Sequence, residues 1–276
     1  MHPLPLGEGW GEGRNVRTIT ATRYVTPLRE GGSVPAIIEA EDSGLYVLKF
    51  RGAGQGIKAL VAEILSGELA RALGLRMPEL VLVELDPALG RAEPDEEIRD
   101  LIKASPGLNL GMDYLPGSIT FDPTVRPAPE AAEASAIVCF DAYVTNVDRT
   151  PKNPNLLSWH KKLWLIDHGA SLYFHHAWDD YLERSQSRFQ PIRDHVLLPW
   201  ASALSEALAT LRQKVTAEVI QHVVSCVPDA WLGPAVEPRF TTVTEHREAY
   251  ATYLLKRLEA APAFIEEAER ARAQLV

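Results

Sequence analysis

The sequence predicts an α+β chain in two lobes, a small antiparallel sheet with one helix followed by a mostly helical body. Three observations carry this. Residues 16–50 hold three Thr-, Val- and Ile-rich runs of strand length, separated by turns bearing Gly and Ser, the pattern of successive hairpins. Residues 204–227 and 245–259 repeat apolar side chains at helical spacing, and Pro262 opens a last helix rich in Ala, Glu and Arg. Between these regions, residues 144–172 read as a polar loop, a tight hairpin and a second polar stretch.

A chain of 276 residues has room for one large domain or two lobes sharing a cleft. Its 46% hydrophobic and 24% charged residues are normal for a globular protein with a real core. A net charge of -9 argues against nucleic-acid binding through a general basic field. No apolar run reaches membrane-spanning length. The N-terminus lacks the charged and apolar sections of a secretory signal, so the cytoplasm is the expected compartment. Cys139 and Cys226 make no disulfide framework and no metal spacing; both lie in apolar helical runs and read as small buried hydrophobes.

Residues 1–13 are rich in Gly and Pro without strand or helix period, and read as a disordered leader, an over-extended start of translation. The sheet lobe then spans 14–115 and the helical lobe 116–276. Strands are expected at 16–25, 34–40 and 45–50. Gly31, Gly32 and Ser33 fall in the first turn, where glycine lets a backbone approach a ligand and point amides at phosphates. Taken alone they equally make an ordinary hairpin turn. Lys49 stands near the end of the third strand in Tyr-Val-Leu-Lys-Phe; turned inward, it needs an anionic partner, which nucleotide phosphates would supply.

Gly52, Gly54 and Gly56 come next, then a helix over 57–73 stopped by Gly74. The dinucleotide fingerprint is excluded, because the G-x-G-x-x-G spacing is missing and no second βαβ unit follows. The helix offers Glu63 and Glu68 to Lys49. At about 100° per residue Glu68 falls inside the apolar stripe and Glu63 to its side, so phase favours Glu68. A strand over 80–85, a short helix over 96–104 and a strand over 108–115 follow, turned by Pro116 and Gly117. In a two-lobed chain this last segment crosses between lobes. Backbone groups of Gly111, Met112, Asp113 and Tyr114 could then bond a purine edge, or the segment is a plain loop.

A helix over 130–144 leads into the central loop, with Asp141 expected to brace that loop. Short strands at 156–159 and 163–166 flank the turn His160, Lys161 and Lys162. Such a hairpin is expected to bring Asn153 beside Asp167, with Asp148 one loop turn away. Two oxygen ligands for a hard cation and a third carboxylate to orient a hydroxyl are what phosphoryl transfer needs. Either motif alone would be an ordinary turn; the two in this order point to chemistry. His175, His176, Asp179 and Asp180 are expected to make structural polar contacts rather than a metal cluster.

The order of Gly-rich hairpin, Lys49, helix glutamate, crossing segment, Asp148-x4-Asn153 and Asp167-His168-Gly169 resembles the protein-kinase-like fold. The string from Asn146 to Asn153, Asn-Val-Asp-Arg-Thr-Pro-Lys-Asn, is similar to that of the HipA-like kinases, with a distant echo of phosphatidylinositol kinases. The motifs cover about residues 15–180. The His-Arg-Asp and Asp-Phe-Gly motifs of ordinary protein kinases are absent, which favours the HipA-like branch.

The resemblance implies that Asp148 is the catalytic base and that Asn153 and Asp167 hold Mg2+. It implies that Lys49 meets the α- and β-phosphates of ATP, that Gly31 to Ser33 cover them, and that Glu63 rather than Glu68 is the partner of Lys49. Lys152 would offset charge on the transferring group. Two departures weigh against a toxin–antitoxin role: Thr150 stands where toxin-type members have a His, and the chain starts almost directly at the first kinase strand. The expected activity is therefore ATP- and Mg-dependent transfer of a γ-phosphoryl group to a hydroxyl, that of a protein Ser or Thr. The alternatives are a small-molecule kinase on the same fold and a catalytically silent nucleotide-binding protein.

Overall fold

Burial alternates over the first four residues of β1 (Thr18–Pro27) and along β2 (Ala36–Ala40) and β3 (Leu45–Lys49), as half-buried pleated strands require. Helix α1 (Ile57–Leu73), strand β4 (Leu80–Leu85), helix α2 (Glu96–Lys103) and strand β5 (Gly107–Asp113) complete the N-terminal part. The computed structural model describes residues 16–28, 34–54 and 56–275. The expected leader over 1–13, and Gly31, Gly32 and Ser33, lie outside the described residues.

The sheet is not an open antiparallel one. Its order is β1-β2-β3-β5-β4, and it closes into a barrel because Thr18, Ile19 and Thr20 of β1 run parallel to Leu82, Val83 and Glu84 of β4. The rest of β1 pairs antiparallel with β2, with register shifts between Ala21 and Arg23 and between Tyr24 and Thr26. Such irregularities bend a strand and raise its twist, which lets one ten-residue strand serve two neighbours. Ile19, Ala21, Ile38, Leu48, Val81 and Val83 fill the interior, and Ile98 and Ile102 of α2 join them. Gly111 lies in this wall, where a Cβ would fall 2.7 Å from Val83 Cγ2 and 2.8 Å from Val81 Cγ2. Its lack of a side chain is a packing requirement.

The outer faces of β4 and β5, through Leu80, Leu82, Leu110 and Met112, share a second and larger core with α1 and the C-terminal helices. Every residue of α1 from Leu60 to Ala70 is buried. Gly74 ends the helix in the left-handed region at φ 81°, its N–H bonded back to Ala70 and Arg71.

Strand β6 (Ile119–Thr120) and helix α3 (Ala131–Tyr143) precede the hairpin of β7 (Leu156–Trp159) and β8 (Lys162–Leu165). His160 and Lys161 take φ 49° and 60°. Two consecutive positive φ values make the two-residue turn whose twist suits a hairpin, so Lys162 belongs to the strand. Helix α4 (Tyr181–Arg184) is a single turn. The expected helix over 204–227 is two, α5 (Leu204–Lys214) and α6 (Ala217–Ser225), because the Thr216 hydroxyl caps the second by accepting from Val219 N. Helices α7 (Val243–Glu259) and α8 (Ala261–Arg272) end the described chain. Among the described residues no helix is long and apolar enough to cross a membrane.

Candidate active site

Lys49, at the end of β3, points inward. Its ammonium bonds Glu63 Oε1 of α1 and, at 2.8 Å, Asp167 Oδ1 just beyond β8. Three elements far apart in sequence thus meet at one cation. Burial alone would push the Lys49 pKa down and the Glu63 pKa up. Their mutual attraction outweighs this, aided by Asp167 for the lysine and His168 for the glutamate. The Lys49 pKa is therefore raised, and the Glu63 carboxyl is held well below the usual carboxylate range. Glu68, which phase favoured, pairs instead with Arg71 at 3.3 Å. The phase argument assumed one solvent face, and α1 has none through this stretch.

Glu63 Oε1 also accepts from Gly169 N at 3.0 Å. Helix α1 is tied to the helical body at both ends. Lys58 donates to His175 O at 2.7 Å and to Glu237 at 2.8 Å, and Lys214 donates to Leu73 O at 2.8 Å.

The central loop is built around Asp141, which accepts from three partners. Its Oδ1 accepts from Asn146 Nδ2 at 2.9 Å; its Oδ2 accepts from Arg149 Nε at 2.6 Å and from His195 Nε2 at 2.9 Å. All of this is buried. Burial pushes the Asp141 pKa up, but Arg149 and His195 prevail and hold it far below the usual range. Arg149 further donates to the carbonyls of Asn155 and, at 3.4 Å, Ile166, and its Nη2 lies 2.9 Å from His168 Nε2. One guanidinium therefore joins the loop, the strand end and the segment carrying Asp167.

On this frame Asp148 is half-buried. Its N–H donates to Asn146 Oδ1 at 3.1 Å, and its Oδ2 accepts from Asn153 Nδ2 at 2.8 Å and Asn155 Nδ2 at 3.2 Å. Both contacts leave Oδ1 of Asp148 and the side-chain oxygen Oδ1 of Asn153 without partners among the described residues. Lys152 is exposed on the same loop. Thr145, Asn155, Asp167 and Leu172 all take φ between 48° and 55°, a region non-glycine residues avoid unless their surroundings impose it. These four, which lie outside the hairpin turn of His160 and Lys161, bracket the polar groups just described.

Asn153 and Asp167, expected side by side as ligands of one cation, each bond a different side chain. The hairpin ladder ends at Asn155 and Ile166, joined at 3.1 Å, and Asn153 lies in the turn closed by its own bonds to Thr150. The Asn153 amide is spent on Asp148, and Asp167 turns to Lys49. Asp167 Oδ2 has no partner among the described residues, and 46% of its side chain is exposed. The hard oxygens of Asn153 and Asp167 suit a cation that completes its shell from water and phosphate, as magnesium does.

The crossing segment differs from expectation as well. Gly111 and Met112 are paired on both sides, with Leu48 and Val47 of β3 and with Val81 and Leu80 of β4. The N–H of Asp113 donates to Glu79 O at 2.9 Å and that of Tyr114 to Leu45 O at 3.0 Å. Those four amides are occupied because β5 is a central strand. The next amide, that of Leu115, has no partner among the described residues.

Asn155 and His195 lie outside the motifs read from the sequence, and Arg149 and His168 lie within them without an assigned role. A second Asn after a proline gave no signal, and His195 lies 54 positions from Asp141. His175, flagged as structural, is buried and bonded through Nδ1 to the Tyr250 hydroxyl at 3.0 Å, while Asp179 pairs with Arg239 at 2.6 Å. Burial pushes the thiols of Cys139 and Cys226 up to about 12 and about 11, which keeps both from acting as nucleophiles.

The fold has counterparts among solved structures. The Golgi casein kinase with Mn/ADP bound superposes with a TM-score of 0.51 at 12% identity, covering 98% of this chain and 76% of that one. The Helicobacter pylori proinflammatory kinase CtkA superposes with a TM-score of 0.53 at 13% identity, covering 94% of this chain and 98% of that one. At such identities the likeness shows a shared kinase fold. No curated protein matches the chain. The family model described as HipA-like kinase matches residues 22–266, and the chain, a phosphotransferase, belongs to the HipA-like kinase family.

Proposed function

We propose that the protein transfers the γ-phosphoryl group of ATP, with Mg2+, to the hydroxyl of a protein Ser or Thr. The observation that carries this reading is the meeting of Lys49, Glu63 and Asp167 at one buried ammonium, next to a loop that presents Asp148. In this reading the barrel part, residues 14–115, and the helical part, 116–276, act as two lobes around the nucleotide. Lys49 is shared between Glu63 and the α- and β-phosphates, and the unpaired N–H of Leu115 meets the purine edge in place of the occupied amides of residues 111–114. Asn153 and Asp167 would hold Mg2+, which when bound neutralises charge on the phosphates.

Asp148 keeps one oxygen free to accept the proton of the attacking hydroxyl, while Asn153 and Asn155 fix its orientation. Lys152 is long enough and exposed enough to approach the transferring group. The loop around Val147, Lys152 and Asn153 is open to solvent, which suits an extended segment of another protein better than an enclosed small molecule. Incubation with γ-labelled ATP, Mg2+ and a cell extract is expected to place label on protein as phosphoserine or phosphothreonine. Lys49→Met is expected to remove that label. Label found only in small molecules would move the acceptor to a metabolite alcohol, and ATP bound without any transfer would leave a silent nucleotide-binding protein.

A further inference from the structure

His168 lies between two parts of this machinery and has no part in the chemistry assigned above. Its Nε2 is 2.9 Å from Arg149 Nη2. A guanidinium can only donate, so Nε2 must accept, and the imidazole hydrogen belongs on Nδ1. That nitrogen faces Glu63 Oε2 at 3.7 Å, and both side chains are fully buried. Neither atom has a hydrogen-bond partner among the described residues. A buried donor and a buried acceptor thus face each other just outside bonding range. The edge of Phe140 meets the imidazole at 75°, with centroids 5.7 Å apart, and limits its rotation.

The geometry points to His168 as a positioning residue, which as the Nδ1–H tautomer links Arg149 of the catalytic loop to Glu63 of α1 and completes its bond to Glu63 Oε2 when nucleotide is seated. This rests on the reading of Lys49 and Asp148 given above. The bond closes on nucleotide because Lys49 is then shared with phosphate. Glu63 loses part of its cationic partner, and a buried carboxylate oxygen without a donor is costly. A movement of less than about 1 Å brings the pair into range. Once closed, Lys49, Glu63, His168, Arg149 and the Asp148 loop form one connected frame.

Imidazole 15N spectra of the full chain, with and without Mg2+ and a non-hydrolysable ATP analogue, test this. The expected His168 signature is a protonated Nδ1 and an unprotonated Nε2, with the Nδ1 proton moving downfield when the analogue binds. His168→Asn keeps a donor near Glu63 but falls short of Arg149. His168→Gln reaches Arg149 but leaves the Glu63 side. Each is expected to lower kcat by roughly tenfold or more, while KM for ATP changes by less than about threefold. An Nε2–H tautomer, or wild-type kcat in either variant, overturns the proposal. If the wild-type protein transfers no phosphate at all, the functional reading fails, and the tautomer still decides the geometry.

Discussion

Asp148→Asn is expected to lower kcat by about 10²–10⁴-fold, the range lost when a positioned general base is removed. At about 1.4 kcal/mol per tenfold this is roughly 3–5.5 kcal/mol of barrier. The substitution leaves the surroundings intact. Asn153 and Asn155 both donate to a single oxygen of Asp148, and an Asn carbonyl oxygen can accept the same two bonds. What disappears is the negative oxygen that, in the proposed reading, takes the acceptor's proton. Lys49 and Asp167, which face the phosphates in this account, are not in contact with it, so KM for ATP should stay within about threefold. Steady-state kinetics on a phosphorylatable acceptor protein read both numbers. A variant that keeps wild-type kcat would remove Asp148 from the reaction.

The second large effect is on stability. Asp141→Ala leaves the Arg149 guanidinium fully buried without its carboxylate partner, and takes away the acceptor of His195 and Asn146 at the same time. Removing one member of a buried ion pair costs about 3–5 kcal/mol, which in a chain of this size lowers Tm by roughly 6–20 °C. The surface pair Arg23–Glu39, with the arginine side chain 64% exposed, is the contrast; Glu39→Ala should cost less than about 1 kcal/mol.

The pH dependence follows with a definite sign. Asp141 and Glu63 both have folded-state pKa values depressed below their unfolded ones. The stability they contribute is therefore complete above the ordinary carboxylate range and drains away as pH falls below it. Asp141→Ala should flatten that acid limb. Thermal melts at neutral and acid pH check both points, and an unchanged neutral Tm would mean that the network carries little.

Elements set by local pattern were legible in the sequence. Strand β4 is a short, almost wholly apolar run and helix α1 is bounded by glycines, down to the left-handed Gly74. The closure of the barrel was not legible, because a strand's alternation is the same whether its partner runs parallel or antiparallel. Only the bends within β1 direct its first residues to β4. Among site residues, Lys49 was conspicuous as a cation in an apolar strand. Its true partner was ambiguous because a helix buried on all sides has no phase to read. The occupied amides of 111–114 depend on β5 having neighbours on both edges, a fact of topology. The frame behind Asp148 is the least legible part. Arg149 and His168 resemble ordinary loop residues until the fold brings them to Asp141 and Glu63.

The central claim is that one nucleotide and one divalent cation share the space bounded by Lys49, Asp167 and Asn153. Calorimetric titration of a non-hydrolysable ATP analogue, with and without Mg2+, into wild type and Asp167→Asn tests it most directly. The account expects Mg2+ to tighten binding by roughly tenfold or more in the wild type, about 1.4 kcal/mol, and to add nothing in Asp167→Asn. Equal affinity under all four conditions would contradict it.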